Sequence, residues 1–210
     1  RDIGSMVGRD AIAIAATHDI AKVFSDSDVI IDFSLPDAFT EILSMAVKTS
    51  TPIVIGTTGL TKMQEDTIND AARTIALVYA SNTSLGINLL FAIIEQISKA
   101  LPTDFDIDIL DFHHNKKIDA PSGTALSLGK AAAKGREMNF DEVAKLSREG
   151  EVGRRPSGEI GFAALRGGNV IGEHTVIFAG AGERLEVAHK TSGREIYAAG
   201  ALRAAHWVSN

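Results

Sequence analysis

The chain has 210 residues, 45% of them hydrophobic and 23% charged, so it can bury a sizeable apolar core and is not globally disordered. Its net charge is −6 and its lysines and arginines are dispersed, which argues against a nucleic-acid partner. It contains no cysteine, which excludes a disulfide framework, a thiolate metal site and a catalytic thiol, and which suits a reducing cytoplasm.

Three short apolar runs in the first eighty residues predict strands of a parallel sheet. They cover residues 28–33, 51–55 and 74–80, and amphipathic stretches at 38–47 and 62–73 separate them. Pro36 suits the first turn of the helix that follows the first strand. Strands that alternate with helices of this length predict βαβ units and a doubly wound, Rossmann-type α/β domain.

The spacing of apolar residues changes after residue 84. Helical spacing over 87–101 precedes an alternating strand at 104–112, and strand-like segments then cover 158–165, 169–178 and 183–190. A run of strands with one or two helices predicts a mixed or antiparallel sheet beneath helices, which is an α+β architecture. The alanine-rich stretch 195–207 predicts a helix that packs on the first domain.

These patterns predict two domains and no membrane segment. We expect a dinucleotide-binding domain at 1–83 with 195–210 and a second domain at 84–194. No apolar run approaches the roughly 20 residues of a membrane helix, and no targeting leader is evident, so we expect a soluble cytoplasmic protein.

One element of a dinucleotide fold is missing from the pattern. Such folds begin with a strand, a glycine-rich turn and a helix whose N-terminus holds the pyrophosphate. The spacing of Gly4 and Gly8 does not replace that turn. We therefore expect the N-terminal strand and glycine-rich loop to be absent from this polypeptide, whether by truncation or omission, and a deleted loop near 8–17 would also fit.

Two loops follow predicted parallel strands, at the edge where open α/β sheets bind ligands. The candidate cofactor-binding residues there are Gly56, Thr57 and Thr58, then Ala80, Ser81, Asn82 and Thr83. Glycine lets a ligand approach the backbone, and the hydroxyls can donate hydrogen bonds. A tight turn with a helix N-cap is an equally good interpretation of the first loop alone.

The segment 112–124 follows an alternating strand and precedes a helix start at Pro121. Free backbone amides near Ser122 would bind a carboxylate or phosphate. Lys117 beside that site suits general-acid chemistry, and His113 could titrate near neutrality. A solvated loop before a capped helix is the alternative. The adjacent histidines do not form a zinc signature, so we expect no metal.

Three residues later in the chain are less specific. His174 and His189 are interpreted as strand residues with ordinary structural roles. Arg194 lies where the chain returns to the first domain, and its guanidinium could hold a carboxylate in a two-pronged contact. A hinge salt bridge is an equally good interpretation of Arg194.

Taken in order, several motifs resemble the dihydrodipicolinate reductase family, also called 4-hydroxy-tetrahydrodipicolinate reductase. They are Gly-Thr-Thr-Gly at 56–59, Asn82, His-His-x-x-Lys-x-Asp-Ala-Pro-Ser-Gly-Thr-Ala at 113–125, Ser-Arg-Glu-Gly at 147–150, Gly-Glu-His at 172–174 and Gly-Glu-Arg-Leu-Glu at 182–186. The match spans essentially the whole chain, and the motif at 113–125 is the most specific. Thr83, where the family often has an aromatic residue, and the missing segment after Asn210 depart from it.

The resemblance implies roles for individual residues. His113 would be the catalytic histidine and Lys117 the proton donor. The residues implied to bind the substrate's carboxylates are His114, Ser122, Gly123, Thr124 and Arg194. On the cofactor side, the two strand-end loops would face the nicotinamide half of NADH or NADPH, and Arg1 would lie beside the adenosine ribose.

The implied reaction is reduction of a cyclic dicarboxylate to tetrahydrodipicolinate in lysine and diaminopimelate biosynthesis. The family also implies a homotetramer assembled through the second sheet. Two alternatives stay open: another two-domain dehydrogenase acting on an amino acid or semialdehyde, and a dinucleotide-sensing module that has lost the reaction.

Overall fold

The computed structural model describes residues 1–210, with eight helices and eight strands in an α/β arrangement. The helices are α1 (Ile3–Met6), α2 (Ile20–Ser25), α3 (Pro36–Thr49), α4 (Lys62–Ala71), α5 (Leu85–Ala100), α6 (Gly123–Gly135), α7 (Phe140–Val143) and α8 (Glu195–Val208). The strands are β1 (Ile30–Asp32), β2 (Ile53–Ile55), β3 (Leu77–Tyr79), β4 (Asp106–His113), β5 (Ala144–Lys145), β6 (Ile160–Arg166), β7 (Glu173–Ala179) and β8 (Arg184–Lys190).

The first sheet is parallel, with strand order β1-β2-β3. Its middle strand is buried on both faces: Ile53 and Ile55 join the core formed with α3 and α4, whereas Val54 packs with Ala205 and Val208 of α8. A continuous apolar run is what such a strand requires. The predicted doubly wound, parallel architecture is therefore confirmed.

The second sheet is mixed, with strand order β5-β6-β4-β7-β8. Strand β4 pairs in parallel with β6 and antiparallel with β7. Helices α5 and α6 cover one face of the sheet, where their apolar side chains form a core with alternate residues of β4, β6 and β7. This is the predicted α+β arrangement of strands beneath helices.

Several predicted boundaries need correction. The strand predicted at 169–178 begins only at Glu173, because residues 167–172 form a turn and irregular chain, and the strand predicted at 74–80 is limited to Leu77–Tyr79. Strand β4 extends to His113, so this histidine lies on the sheet and not in the following loop. The short elements α1, α2, α7 and β5 were not predicted, since two to six residues carry too little periodicity.

The chain divides into two compact units, one comprising Arg1–Ala80 with Ala201–Asn210 and the other Ser81–Gly200. The first contains the parallel sheet and the second the mixed sheet. The domain ranges given above stay a prediction about independently folding parts. None of the helices has both the length and the apolar composition needed to cross a membrane.

Candidate active site

Strand β4 carries two polar residues on the face that α5 and α6 cover. Its odd-numbered residues are buried, so Asp111 and His113 continue the row that begins with Ile107 and Ile109. The Asp111 side chain is fully buried, and only 9% of His113 is exposed. A carboxylate in an apolar row is costly unless it is paired, so its partners define the site.

Four groups surround the carboxylate of Asp111. Oδ1 lies 2.7 Å from Nδ1 of His113 and 3.4 Å from Nε2 of His174. Oδ2 accepts hydrogen bonds from the Ser122 backbone N–H at 2.8 Å and from the Arg166 guanidinium at 3.0 Å. Burial alone would raise the pKa of Asp111, but these donors outweigh it and hold the pKa well below its ordinary value.

The contact with Asp111 fixes the orientation of the His113 ring. Nδ1 and the carboxylate oxygen are 2.7 Å apart, which is close enough to share a proton, but the angles between the two groups fall outside hydrogen-bond geometry. The other ring nitrogen, Nε2, lies against Gly172, where a Cβ atom would come within 3.0 Å of it. Gly172 therefore leaves the space that this ring orientation needs.

Helix α6 begins beside this cluster. The hydroxyl of Ser122 caps it by accepting a hydrogen bond from the Ala125 N–H at 3.2 Å. The N–H groups of Gly123 and Thr124 have no acceptor within the chain. Gly123 is also exposed, and open space surrounds the position of its missing Cβ. Unpaired amides at the positive end of a 13-residue helix can bind an anion.

The loop between β4 and α6 carries the predicted lysine. Nζ of Lys117 lies 2.7 Å from Oδ1 of Asp119, and 21% of the lysine side chain is exposed. The Lys117 N–H closes a turn on the carbonyl of His114, which is half-buried. Arg166 also donates to the Asp119 carbonyl at 2.7 Å, so one guanidinium joins this loop to Asp111.

The adjacent histidines do not form a zinc signature in the sequence, but the fold brings three potential metal ligands together. Atoms of Asp111, His113 and His174 that could ligate a metal lie within 4.8 Å of one another. However, the Arg166 guanidinium already pairs with the same carboxylate, and a second cation there would be repelled. We interpret the cluster as a hydrogen-bonded network, and the absence of a metal stays a prediction.

The predicted cofactor-binding residues at the end of β2 differ in which of their groups are free to bind a ligand. The hydroxyl of Thr57 is buried and donates to Asp32 at 3.0 Å, so only its backbone is available to a ligand. Thr58 is exposed. Gly56 has the ring of Phe33 against the position of its missing Cβ, and 54% of Phe33 is exposed.

The second predicted cofactor loop follows β3. Asn82 donates from its amide to the Thr124 hydroxyl at 3.2 Å, which ties this loop to the start of α6. The Thr83 hydroxyl is buried and donates to a backbone carbonyl of α8 at 2.8 Å. Ala80 is half-buried and Ser81 is exposed. Thr83 therefore has a packing role in addition to any contact with a cofactor.

The two predicted anion-binding arginines are exposed. Arg1 and Arg194 form no ion pair within the chain. Arg194 immediately precedes α8 and accepts a hydrogen bond from Tyr197 through its carbonyl only. The hinge salt bridge considered as the alternative for Arg194 is absent, and its carboxylate-binding role stays a prediction.

The strand ends of the first sheet fit a nicotinamide dinucleotide. Gly56 has no side chain of its own to cover the backbone, and about half of the surface of Phe33 is exposed. The hydroxyl of Thr58 is exposed and free to bind a ligand. These groups lie at the carboxyl edge of a parallel sheet, where flat nucleotides bind in open α/β folds.

Sequence reasoning missed three members of the buried cluster: Asp111, Arg166 and His174. A signal for Asp111 was present, because strict alternation in β4 puts it on the same face as the buried isoleucines. His174 was assigned an ordinary structural role, yet it stands directly across from Asp111 in the sheet and contacts Ser122 at 3.1 Å. Only the strand pairing brings these residues together.

The first unit has a parallel sheet of the kind that binds nucleotides, and the second is an α+β unit with a buried histidine, a lysine and a helix start with unpaired amides. This combination is typical of two-domain, nicotinamide-dependent oxidoreductases. The family model "Dihydrodipicolinate reductase, N-terminus" matches residues 1–83, and "Dihydrodipicolinate reductase, C-terminus" matches residues 86–210. The chain belongs to the dihydrodipicolinate reductase family.

Curated relatives support the assignment over nearly the whole chain. The 4-hydroxy-tetrahydrodipicolinate reductase of Ruegeria pomeroyi is 45% identical over 99% of this chain and 77% of its own length. That of Parvibaculum lavamentivorans is 46% identical over 98% and 76%. The dipicolinate-bound dihydrodipicolinate reductase of Paenisporosarcina sp. TG-14 shares the fold, with a TM-score of 0.74, 21% identity and coverage of 100% of this chain and 82% of its own.

The family resemblance drawn from the motifs is thus confirmed. The chain is an oxidoreductase of lysine and diaminopimelate biosynthesis that uses NADH or NADPH. Membership of this family favours the reductase over both alternatives, another two-domain amino-acid or semialdehyde dehydrogenase and a non-catalytic dinucleotide-sensing module.

Proposed function

We propose that this chain reduces 4-hydroxy-tetrahydrodipicolinate to tetrahydrodipicolinate, with His113 and Lys117 as its catalytic residues. The overall change adds a hydride and a proton to the ring and releases water from the hydroxylated carbon. A bound nicotinamide cofactor supplies the hydride. The chain's own residues hold the dicarboxylate and supply the proton.

The start of α6 is the proposed site for a substrate carboxylate. The free N–H groups of Gly123 and Thr124 can donate to its oxygens, and the helix dipole favours the negative charge. Ser122 holds this helix start in place by capping it. His114 and Arg194 complete the proposed carboxylate-binding set, Arg194 through a two-pronged contact.

Lys117 is the proposed proton donor. Its ammonium group pairs with Asp119 on the loop that leads into α6. A bound dicarboxylate would attract the same ammonium group and hold it near the ring carbon that becomes electron-rich. His113 is proposed to contact the substrate through Nε2, since Nδ1 faces Asp111.

We propose that the loops after β2 and β3 hold the cofactor. Gly56, Thr57 and Thr58 would contribute backbone groups and the exposed Thr58 hydroxyl, and residues 80–83 are proposed as further cofactor contacts. Arg1 is exposed and unpaired, which suits it to the ribose or a 2′-phosphate.

One observation carries the proposal: a buried histidine, a lysine and a helix start with unpaired amides lie on one loop and its flanking elements. A spectrophotometric assay coupled to the synthase that makes the substrate tests it. We expect substrate-dependent oxidation of NADH or NADPH. Oxidation with aspartate or homoserine, and none with this substrate, would contradict the proposal.

We also propose that the chain forms a homotetramer through the face of the second sheet that lies opposite α5 and α6. Side chains on that face include Phe112 and the half-exposed Leu165. Light scattering coupled to size-exclusion chromatography should give four times the monomer mass, and a monomer at micromolar concentration would refute the assembly. We further propose a cytoplasmic location, which cell fractionation tests.

A further inference from the structure

Asp111 has no part in the reaction as proposed so far, although it is the most buried charge of the site. Its two oxygens face two different kinds of partner. Oδ2 faces the Ser122 N–H and the Arg166 guanidinium, which can only donate hydrogen bonds. Oδ1 faces His113 and His174, whose ring nitrogens can either donate or accept.

We propose that Asp111 is a positioning residue that fixes the tautomer of His113. Because a carboxylate can only accept, neutral His113 in contact with Asp111 carries its proton on Nδ1 and leaves Nε2 as a hydrogen-bond acceptor. The inference deepens the proposed function, since it rests on His113 acting through Nε2.

The surrounding groups reinforce this assignment. The contacts with His113, His174, Ser122 and Arg166 keep Asp111 ionised, so its oxygens remain acceptors. The bonds from Ser122 and Arg166 also hold the carboxylate against rotation. The ring of His174 stands edge-on to that of His113, with centroids 5.1 Å apart, and limits the space into which His113 could turn. Gly172 supplies room for the ring on its Nε2 side.

The substitution Asp111→Asn is expected to reverse the tautomer of His113. An asparagine has one accepting and one donating end. Since Arg166 and Ser122 are obligate donors, the amide oxygen takes the Oδ2 position and the amide N–H₂ group faces His113 and His174. His113 must then accept at Nδ1, and its neutral form carries the proton on Nε2. The shape of the side chain is almost unchanged, whereas the proton on His113 moves to the opposite nitrogen.

The test is ¹⁵N NMR of the histidine rings in the full chain, together with steady-state kinetics. His113→Asn identifies the His113 signals, and spectra are recorded at a pH where the ring is neutral. The matched control is Asp108→Asn, which lies on the same strand but on its other face, where it pairs with Arg148 and Arg155.

We expect the Nδ1–H tautomer in the unaltered chain and in Asp108→Asn, and the Nε2–H tautomer in Asp111→Asn. We also expect kcat to fall by about 100-fold in Asp111→Asn, with the KM for the cofactor unchanged. A purely structural role would lower stability without inverting the tautomer.

An Nε2–H tautomer in the unaltered chain overturns the inference, even if Asp111→Asn does not fold. An unchanged tautomer and an unchanged kcat in folded Asp111→Asn overturn it as well. If the unaltered chain does not reduce the substrate, the proposed function fails, whereas the tautomer measurement still decides what Asp111 does to His113.

Discussion

Each sheet buries an aspartate near the carboxyl end of a strand, but the two aspartates have different partners. In the first sheet, Asp32 accepts from the Ser34 N–H at 2.9 Å and from the Thr57 hydroxyl at 3.0 Å. In the second, Asp111 faces two histidines, a guanidinium and a backbone amide. The first aspartate shapes a loop, whereas the second contacts two imidazole rings and a permanent cation.

The different partners of the two aspartates correspond to two tasks of the enzyme, cofactor binding and substrate chemistry. A cofactor brings its own reactive atoms, so the protein has only to present a shaped backbone surface. Substrate chemistry requires side chains that hold or move protons, and these must be kept in one orientation. Substitutions of the proposed catalytic residues of the second sheet and its loop should therefore change turnover, and those at the end of β2 should change stability and cofactor affinity.

The largest expected effect is on turnover, in Lys117→Ala. We expect kcat to fall by about 100-fold to 10,000-fold, because the proton donor is lost, and cofactor binding to change little. Steady-state kinetics with a cofactor titration measure both quantities. Lys116→Ala is the control, since Lys116 is exposed on the same loop and should keep its turnover. Near-normal kcat in Lys117→Ala would remove this residue from the mechanism.

Lys117 and the other proposed catalytic groups are close together in the sequence, and for this reason they could be predicted from the sequence alone. Lys117, the histidines and the helix start lie in one continuous segment, so their pattern could be recognised without a fold. The alternation of β4 and the double burial of β2 likewise depend on neighbouring residues, and the architecture followed from them.

Arg166 and His174 could not be found in this way. They reach Asp111 only because β6 and β7 flank β4, and the order of strands in a mixed sheet is not encoded in local periodicity. The internal use of the Thr57 hydroxyl escaped for the same reason, since its partner Asp32 lies 25 residues earlier on the neighbouring strand.

The next effect is on stability, in Arg166→Leu. Removing the guanidinium leaves the buried Asp111 without its permanent cation and frees the Asp119 carbonyl. We expect the free energy of unfolding to fall by about 3 kcal/mol, measured by urea denaturation. Arg184→Leu, which breaks an exposed pair with Glu186, should cost less than about 1 kcal/mol. Equal losses in the two variants would mean that the buried network is not what Arg166 stabilises.

At the end of β2 we expect a smaller loss of stability and a different kinetic result. Thr57→Val leaves one oxygen of the buried Asp32 without its donor, which should cost about 2 kcal/mol. Turnover at saturating cofactor should persist, because the Thr57 side chain faces inward. Thr58→Ala should instead raise the KM for NADH or NADPH with little change in stability, since its hydroxyl is exposed. If folded Thr57→Val has no turnover, the proposed division of roles between the two sheets is wrong.

The last expected effect is a change in the pH dependence of stability. The pKa of Asp111 is lower in the folded chain than its ordinary value of 3.8, so its ionised form stabilises the fold. That contribution is fully present above about pH 4 and is lost as the pH falls below the ordinary value toward the folded-state pKa. The slope from this one group is at most about 1.4 kcal/mol per pH unit. Urea denaturation at a series of pH values should show this acid-sensitive limb in the unaltered chain, and Asp111→Asn should lack it. Asp32→Asn tests the comparison between the sheets, because the partners of Asp32 are a backbone amide and a hydroxyl and include no cation. If Asp32→Asn flattened the acid limb as much as Asp111→Asn, the two buried aspartates would be equivalent.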